Sequence, residues 1–180
     1  MVNLQQHNVG FNFWTFDNFF LTDLADRIIQ ESQHFDYFKI EKTRVSRPDR
    51  IYMNDYEYPS FKEACLLFDS KVIKLMFSEI TGTDFTQLAT RVELCKDSAG
   101  SHLVPHYDDK AKMSTMQIYL SDSKSSTILG KVNTKAKINS GWFFVNTGKE
   151  LHSLPSLVQD RTSIIVNWVS EDWRDRSVLV

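Results

Sequence analysis

The residues best suited to chemistry are His106, Asp108 and His152, followed nine positions later by Arg161. In an extended strand alternate side chains share one face, so His106 and Asp108 point the same way and Tyr107 points away. An imidazole and a carboxylate arranged in this way can chelate one ion, and a second histidine from another strand would complete three ligands on one side of an octahedral metal. Three coordination positions then stay open, which suits Fe(II) that must also bind a co-substrate and O₂.

A His-x-Asp triplet is a weak signal alone, and the chain holds a second one, His34-Phe35-Asp36. That triplet ends a predicted helix and has no comparable pattern downstream, so we assign it no metal. The triplet at His106 differs because an apolar run at 141–146 leads through a short loop to His152. The context therefore favours the later triplet as the metal site.

Composition limits the class of protein. The 180 residues carry 21 Lys+Arg against 23 Asp+Glu, with a pI near 6.2, which argues against a general binder of nucleic acids or anionic membranes. The sequence shows no membrane-spanning run and no signal-peptide pattern. Cys65 and Cys95 form no CxxC pair, so we expect free thiols in a reducing compartment. We predict a single domain over 1–180, soluble and cytoplasmic.

Two amphipathic helices are predicted in the first half of the chain. Thr22 is the expected N-cap of the first, which runs to about His34. Ser60 opens a capping-box sequence, and helical spacing of apolar residues continues from there to a stop at Gly82. The segment 37–58 between these helices reads as one or two strands and loops.

Short strands dominate the second half, and turn-forming residues separate them. This cadence predicts an antiparallel sandwich or barrel, and two preceding helices would brace one outer face of its sheet. The fold class is therefore α+β, with a helical lead-in over 1–85 and a strand-rich core over 86–170. The candidate strands are 90–96, 103–108, 114–121, 127–132, 141–146 and 161–169.

The segment 91–169 resembles the double-stranded β-helix, a cupin-like jelly roll, of the Fe(II)/2-oxoglutarate-dependent oxygenases. The prolyl-hydroxylase-like branch is the most similar. The features that carry the resemblance follow the family's order and spacing over about half the chain. They are Val-Glu-Leu-Cys-Lys-Asp-Ser-Ala-Gly, His-Leu-Val-Pro-His-Tyr-Asp, Gln-Ile-Tyr-Leu, Ser-Gly-Trp-Phe-Phe-Val, His-Ser-Leu and Arg-Thr-Ser.

The resemblance implies a role for each matching residue. His106, Asp108 and His152 would hold iron, and Arg161 would pair with the distal carboxylate of 2-oxoglutarate. A guanidinium suits that task because it is always charged and offers a planar fork to a carboxylate. The same resemblance implies that Tyr119 helps to bind this carboxylate. Further residues on the Arg161 face would add contacts or line the pocket, namely Ser163, Ile165 and Asn167.

Two departures from the family pattern affect the pocket rather than the metal. The strand after Tyr119 reads Ser-Ser-Thr-Ile-Leu-Gly, and Cys95 or Lys96 stands where the strand before the triplet often has tyrosine. The resemblance also implies that an intact Asp108 favours hydroxylation over halogenation. Asn167 replaces the second arginine of the nucleic-acid-repair branch, so no nucleic-acid substrate is expected.

The resemblance thus implies a dioxygenase that uses Fe(II), 2-oxoglutarate and O₂ to hydroxylate a peptidyl or prolyl side chain, a free amino acid or another small molecule. Two alternatives stay open: a degenerate binding module of the same fold, and a cupin-like metal enzyme that does not use 2-oxoglutarate. We expect no membrane partner, and either a monomer or a homodimer. The segment 42–58 is a candidate lid of mixed basic and aromatic content, with Arg44, Arg47, Arg50, Tyr52, Tyr56 and Tyr58.

Overall fold

The computed structural model describes residues 3–34 and 49–180. Arg44 and Arg47 of the candidate lid, and Phe35 and Asp36 of the second His-x-Asp triplet, lie outside these residues. The elements in chain order are β1 (Asn3–Asn8), β2 (Asn12–Asp17), α1 (Thr22–Ser32), β3 (Asp49–Tyr52), α2 (Pro59–Asp69), α3 (Lys71–Thr81), β4 (Ala89–Asp97), β5 (Leu103–His106), β6 (Ser114–Tyr119), β7 (Ile128–Leu129), β8 (Val132–Asn133), β9 (Ser140–Val145), β10 (His152–Leu154) and β11 (Arg161–Val169).

The strands form two sheets. One has seven strands in the order β1-β2-β9-β6-β11-β4-β3, and the other has four in the order β5-β10-β7-β8. Every pairing among these described strands is antiparallel. Over residues 3–34 and 49–180 the fold is therefore a mostly antiparallel β structure with three α-helices, as predicted in outline.

Each face of the seven-stranded sheet has its own core. The outer face packs against the helices through residues such as Phe68, Phe77 and Trp168, which confirms the predicted bracing. The inner face packs against the four-stranded sheet through Trp142 and Phe144. Alternation of side chains along each strand separates the two cores.

The predicted second helix is in fact two helices. At Ser70 the backbone leaves the helical region (φ −63°, ψ 140°), and the Ser70 Oγ accepts the N–H of Ile73 to cap α3. The predicted capping box is wrong, because Ser60 lies inside α2 and donates its hydroxyl to the Glu31 carboxylate of α1. Gly82 ends α3 in the left-handed conformation (φ 73°), as predicted.

Other boundaries also move. Helix α1 begins at Thr22 itself, and Leu21 occupies the N-cap position. Strands β1, β2 and β10 were not predicted. The predicted strand 103–108 ends at His106, so Asp108 follows β5 rather than lying on it. The predicted strand 127–132 is the hairpin β7–β8, which turns at Gly130 (φ 59°).

Strand β9 approaches β6 very closely at Gly141. A Cβ at this position would lie 2.0 Å from the Gln117 carbonyl oxygen. Only glycine fits there, and this close approach helps to fix the inner face on which the candidate site lies. No helix among the described residues is long and apolar enough to cross a membrane.

Candidate functional site

The pairing of β5 with β10 sets His152 directly opposite His106. The two imidazole centroids lie 4.2 Å apart, and Nε2 of His152 is 4.0 Å from Oδ2 of Asp108. One ligand atom from each of the three residues lies within 4.8 Å of the others. The structure thus brings together the three residues that the sequence selected, although they come from two separate segments.

Both histidines are oriented by their own backbone. Nδ1 of His106 lies 3.0 Å from the Val104 carbonyl oxygen, and Nδ1 of His152 lies 2.8 Å from that of Glu150. Donation from Nδ1–H to a carbonyl puts the lone pair on Nε2, which is the atom that a metal needs. The arrangement therefore suits neutral histidine ligands.

Asp108 is held through both carboxylate oxygens. Lys112 Nζ donates to Oδ1 at 2.7 Å, and Thr115 Oγ1 donates to Oδ2 at 2.6 Å. Burial raises the pKa of Asp108, but the ammonium of Lys112, together with the hydrogen bonds from Lys112 and Thr115, holds that pKa well below its usual range. The carboxylate is therefore ionised and fixed in place.

A second layer of hydrogen bonds supports Asp108 from the seven-stranded sheet. Asn167 Nδ2 donates to Thr115 Oγ1 at 2.8 Å, and the buried Arg91 donates to Asn167 Oδ1. Asn167 was predicted to line the pocket. The structure instead places it behind Thr115, outside the cavity wall.

The three residues open on a cavity of about 190 Å³. Its walls come from both sheets, and Arg161 and Ile165 line it as predicted. Arg50, from the candidate lid, also lines it. Tyr56 and Tyr58, by contrast, pack against the core beneath the helices.

Arg161 is buried, with 3% of its surface exposed. Its Nε donates to Oδ2 of Asp97 at 3.0 Å, and Nη2 contacts the same oxygen. This pair forms because β4 and β11 place Asp97 directly opposite Arg161. Within the described part of the chain, Nη1 of Arg161 has no hydrogen-bond partner.

Tyr119 and Ser163 lie beneath the cavity wall rather than on it. The Tyr119 hydroxyl accepts a hydrogen bond from Trp142 Nε1 at 3.1 Å, and the Arg161 guanidinium lies 5.3 Å from the centre of the Tyr119 ring. Ser163 Oγ accepts from Gln117 Nε2 at 2.9 Å. Both residues thus support the site from below, and their direct contact with a co-substrate stays a prediction.

Sequence reasoning missed several residues of the site, among them Asp97, Lys112 and Gln117. Asp97 sits within a quoted motif, but its partner depends on strand register. Lys112 lies four residues after Asp108, a spacing that signals a contact only if the intervening turn is known. Gln117 shares a face with Tyr119 by the period of two and lines the cavity, so alternation alone would have selected it.

No protein-family model matches the sequence, and no curated protein matches it either. Solved structures do match. A prolyl-4-hydroxylase from Pseudomonas putida superposes with a TM-score of 0.73 at 12% identity, over 90% of this chain and 94% of that one. The viral collagen prolyl hydroxylase of Paramecium Bursaria Chlorella virus-1, in complex with 2OG, gives 0.60 at 16% identity over 88% and 96%.

A Trichoplax adhaerens prolyl hydroxylase, in complex with a peptide of the hypoxia inducible factor oxygen degradation domain, gives a TM-score of 0.66 at 14% identity over 88% of this chain and 84% of that one. At such identities the comparisons show a shared fold. The chain has the jelly-roll fold of the prolyl hydroxylases, as the sequence resemblance predicted.

Proposed function

We propose that this chain is an Fe(II)- and 2-oxoglutarate-dependent dioxygenase that hydroxylates its substrate and releases succinate and CO₂. In this proposal residues 1–180 form one domain with a double-stranded β-helix core. The observation that carries the proposal is the convergence of His106, Asp108 and His152 at one cavity that also contains Arg161. Two imidazoles and one carboxylate with open coordination positions are the donor set of non-haem Fe(II) oxygenases.

The residues present fit both groups. For Fe(II), the two imidazoles have the required tautomer and Asp108 is ionised. For 2-oxoglutarate, Arg161 offers a buried guanidinium whose Nη1 has no partner among the described residues. A buried N–H without an acceptor is costly, so a carboxylate that enters the cavity would be favoured.

Each residue then has a defined task. His106, Asp108 and His152 would bind Fe(II), and Arg161 would orient 2-oxoglutarate by its distal carboxylate, supported from below by Tyr119 and Ser163. When bound, these two groups supply the activation of O₂ that hydroxylation needs.

The fold comparisons support a substrate like those of prolyl hydroxylases. The Trichoplax adhaerens structure holds a peptide, so a peptidyl prolyl residue is one candidate. A free amino acid or another small molecule is the other. We infer no nucleic-acid substrate, since the chain has a formal net charge of −2.

Succinate release from 2-oxoglutarate, measured under air with added Fe(II), tests the proposal without knowledge of the prime substrate. We expect turnover in the wild type, and at least a 100-fold loss in His106→Ala, which removes a metal ligand. His102→Ala is the matched control, because His102 lines the same cavity outside the metal-binding group.

If the chain releases no succinate and does not bind 2-oxoglutarate in the presence of anaerobic Fe(II), the dioxygenase proposal is wrong. A degenerate binding module of the same fold would then be the better-supported function. Metal binding without any affinity for 2-oxoglutarate would favour the cupin-like enzyme instead.

A further inference from the structure

The end of the cavity near Asp108 contains hydrogen-bond donors from the turn before β6 and from the segment after β11. Lys112, Trp173 and Arg174 line the same cavity as the proposed metal ligands. Trp173 is buried, at 5% exposure, and its indole Nε1–H is buried without a partner among the described residues. Since indole only donates, an acceptor group that enters the cavity would satisfy this N–H.

Positive charge surrounds this indole. The Arg91 guanidinium lies 4.6 Å from the ring centre, and the Arg174 guanidinium lies 5.9 Å from it. Arg91 is committed to Glu93 and Asn167 through Nη2, whereas Arg174 is exposed at the cavity wall. The segment after β11 therefore presents one cation and one neutral donor toward the cavity.

Binding of a metal ion at Asp108 would change the charge balance around Lys112 as well. Lys112 now faces the carboxylate of Asp108. A divalent ion on Asp108 would take up that negative charge and leave the ammonium only partly balanced. Asp109 also lines this region, but it is exposed and its Oδ1 accepts the N–H of Ala111.

At the opposite end of the cavity, the charge of Arg161 is already balanced by Asp97. A dicarboxylate bound there would add negative charge, so this end would become more negative than the end near Lys112. A second anionic group is therefore best accommodated near Lys112.

We propose that Lys112, Trp173 and Arg174 form a substrate subsite for a carboxylate group, so that the substrate is a free amino acid or a peptide with its chain terminus in the cavity. This inference rests on the proposed function and narrows its substrate class. An internal prolyl residue has no carboxylate to offer and would leave the cationic groups of this end without a counter-charge.

The test is a binding measurement by saturation-transfer NMR on protein loaded with Zn(II) and excess 2-oxoglutarate, which blocks the Arg161 end. The probes are the free L-amino acids, their C-terminal amides, dipeptides, and end-blocked internal peptides. We expect at least one free carboxylate to bind at least about tenfold more tightly than its amide, because a buried hydrogen bond to a charged group discriminates on that order. Free amino acids and dipeptides separate the two sources of the carboxylate.

Variants locate the effect. Trp173→Phe keeps an aromatic ring but removes the indole N–H, and it should lower affinity for the carboxylate several-fold. Arg174→Gln removes the charge, and it should lower affinity for the carboxylate several-fold and leave affinity for the amide unchanged. Arg176→Gln and Lys110→Met are matched controls outside the cavity. Lys112→Met is interpreted only after the other variants. Lys112 also contacts Asp108, so this change affects the proposed metal ligand as well as the subsite.

Equal binding of carboxylate and amide, no binding by any carboxylate probe, or tightest binding by a blocked internal peptide would each overturn the subsite. The 2-oxoglutarate signal in the same sample distinguishes failure of the subsite from failure of the dioxygenase proposal. In this experiment the dioxygenase proposal fails only if 2-oxoglutarate itself does not bind.

Discussion

Replacement of Arg161 by glutamine should damage both stability and co-substrate binding, and the two effects can be separated. Each side chain of the Arg161–Asp97 pair is only 3% exposed. The single substitution removes the guanidinium and leaves the Asp97 carboxylate buried without its counter-charge. Breaking a buried ion pair from one side costs about 3–5 kcal/mol of unfolding free energy.

The double variant Arg161→Gln/Asp97→Asn removes both charges and leaves two amides that can hydrogen-bond. Its unfolding free energy should return to within about 1–2 kcal/mol of the wild type, because no uncompensated charge stays buried. Urea unfolding at 25 °C gives both values. Calorimetry with anaerobic Fe(II) should show loss of 2-oxoglutarate binding in the single and the double variant alike.

Two results would refute this reasoning. A cost below about 1 kcal/mol for the single variant would mean that the pair is exposed to solvent. Retention of 2-oxoglutarate binding by the stable double variant would show that Arg161 does not anchor the co-substrate.

Further predictions concern the two buried cysteines, the close approach at Gly141 and the helix cap at Ser70. Burial raises the pKa of Cys65 and Cys95 to about 12, so a maleimide at pH 8 should label neither thiol in the native protein and both in urea. Because native thiols hold their protons more tightly than unfolded ones, the contribution of these thiols to the unfolding free energy should be constant below their ordinary pKa of 9.0 and fall as pH rises toward about 12. Gly141→Ala should lower the unfolding free energy by about 3 kcal/mol or more, since its Cβ would lie 2.0 Å from a β6 carbonyl oxygen. The control Gly148→Ala, whose Cβ meets open space at φ 83°, should cost only about 1 kcal/mol. Equal losses in the two variants would contradict the close approach of β9 to β6. Ser70→Ala should cost about 1 kcal/mol in urea unfolding by removing the cap of α3, and an unchanged midpoint would count against that cap.

The candidate metal ligands could be predicted because their signal is local. His106 and Asp108 are two residues apart, and His152 follows a continuous apolar run that reads as a buried strand. The structure brings them together even though Asp108 lies just beyond β5. A short, extended connection after the strand is sufficient for the predicted geometry.

Features that depend on pairing between distant segments could not be predicted. The contact of Asp97 with Arg161 requires the register of β4 and β11, and no local pattern encodes a register. Strand β1 was missed because it is an edge strand with mostly exposed polar side chains, so it has no apolar period. The break at Ser70 was missed because helical spacing of apolar residues continues across it.

The division of the proposed ligands between the two sheets has a mechanical consequence. His106 and His152 belong to the four-stranded sheet, whereas Asp108 is fastened through Thr115 to β6 of the other. An ion held by all three would act as a cross-link between the layers, and separating the layers would require its release. Metal at 100 times its dissociation constant would then add about 2.7 kcal/mol to the unfolding free energy, and slower amide exchange should be concentrated in β5 and β10, which form one rim of the cavity.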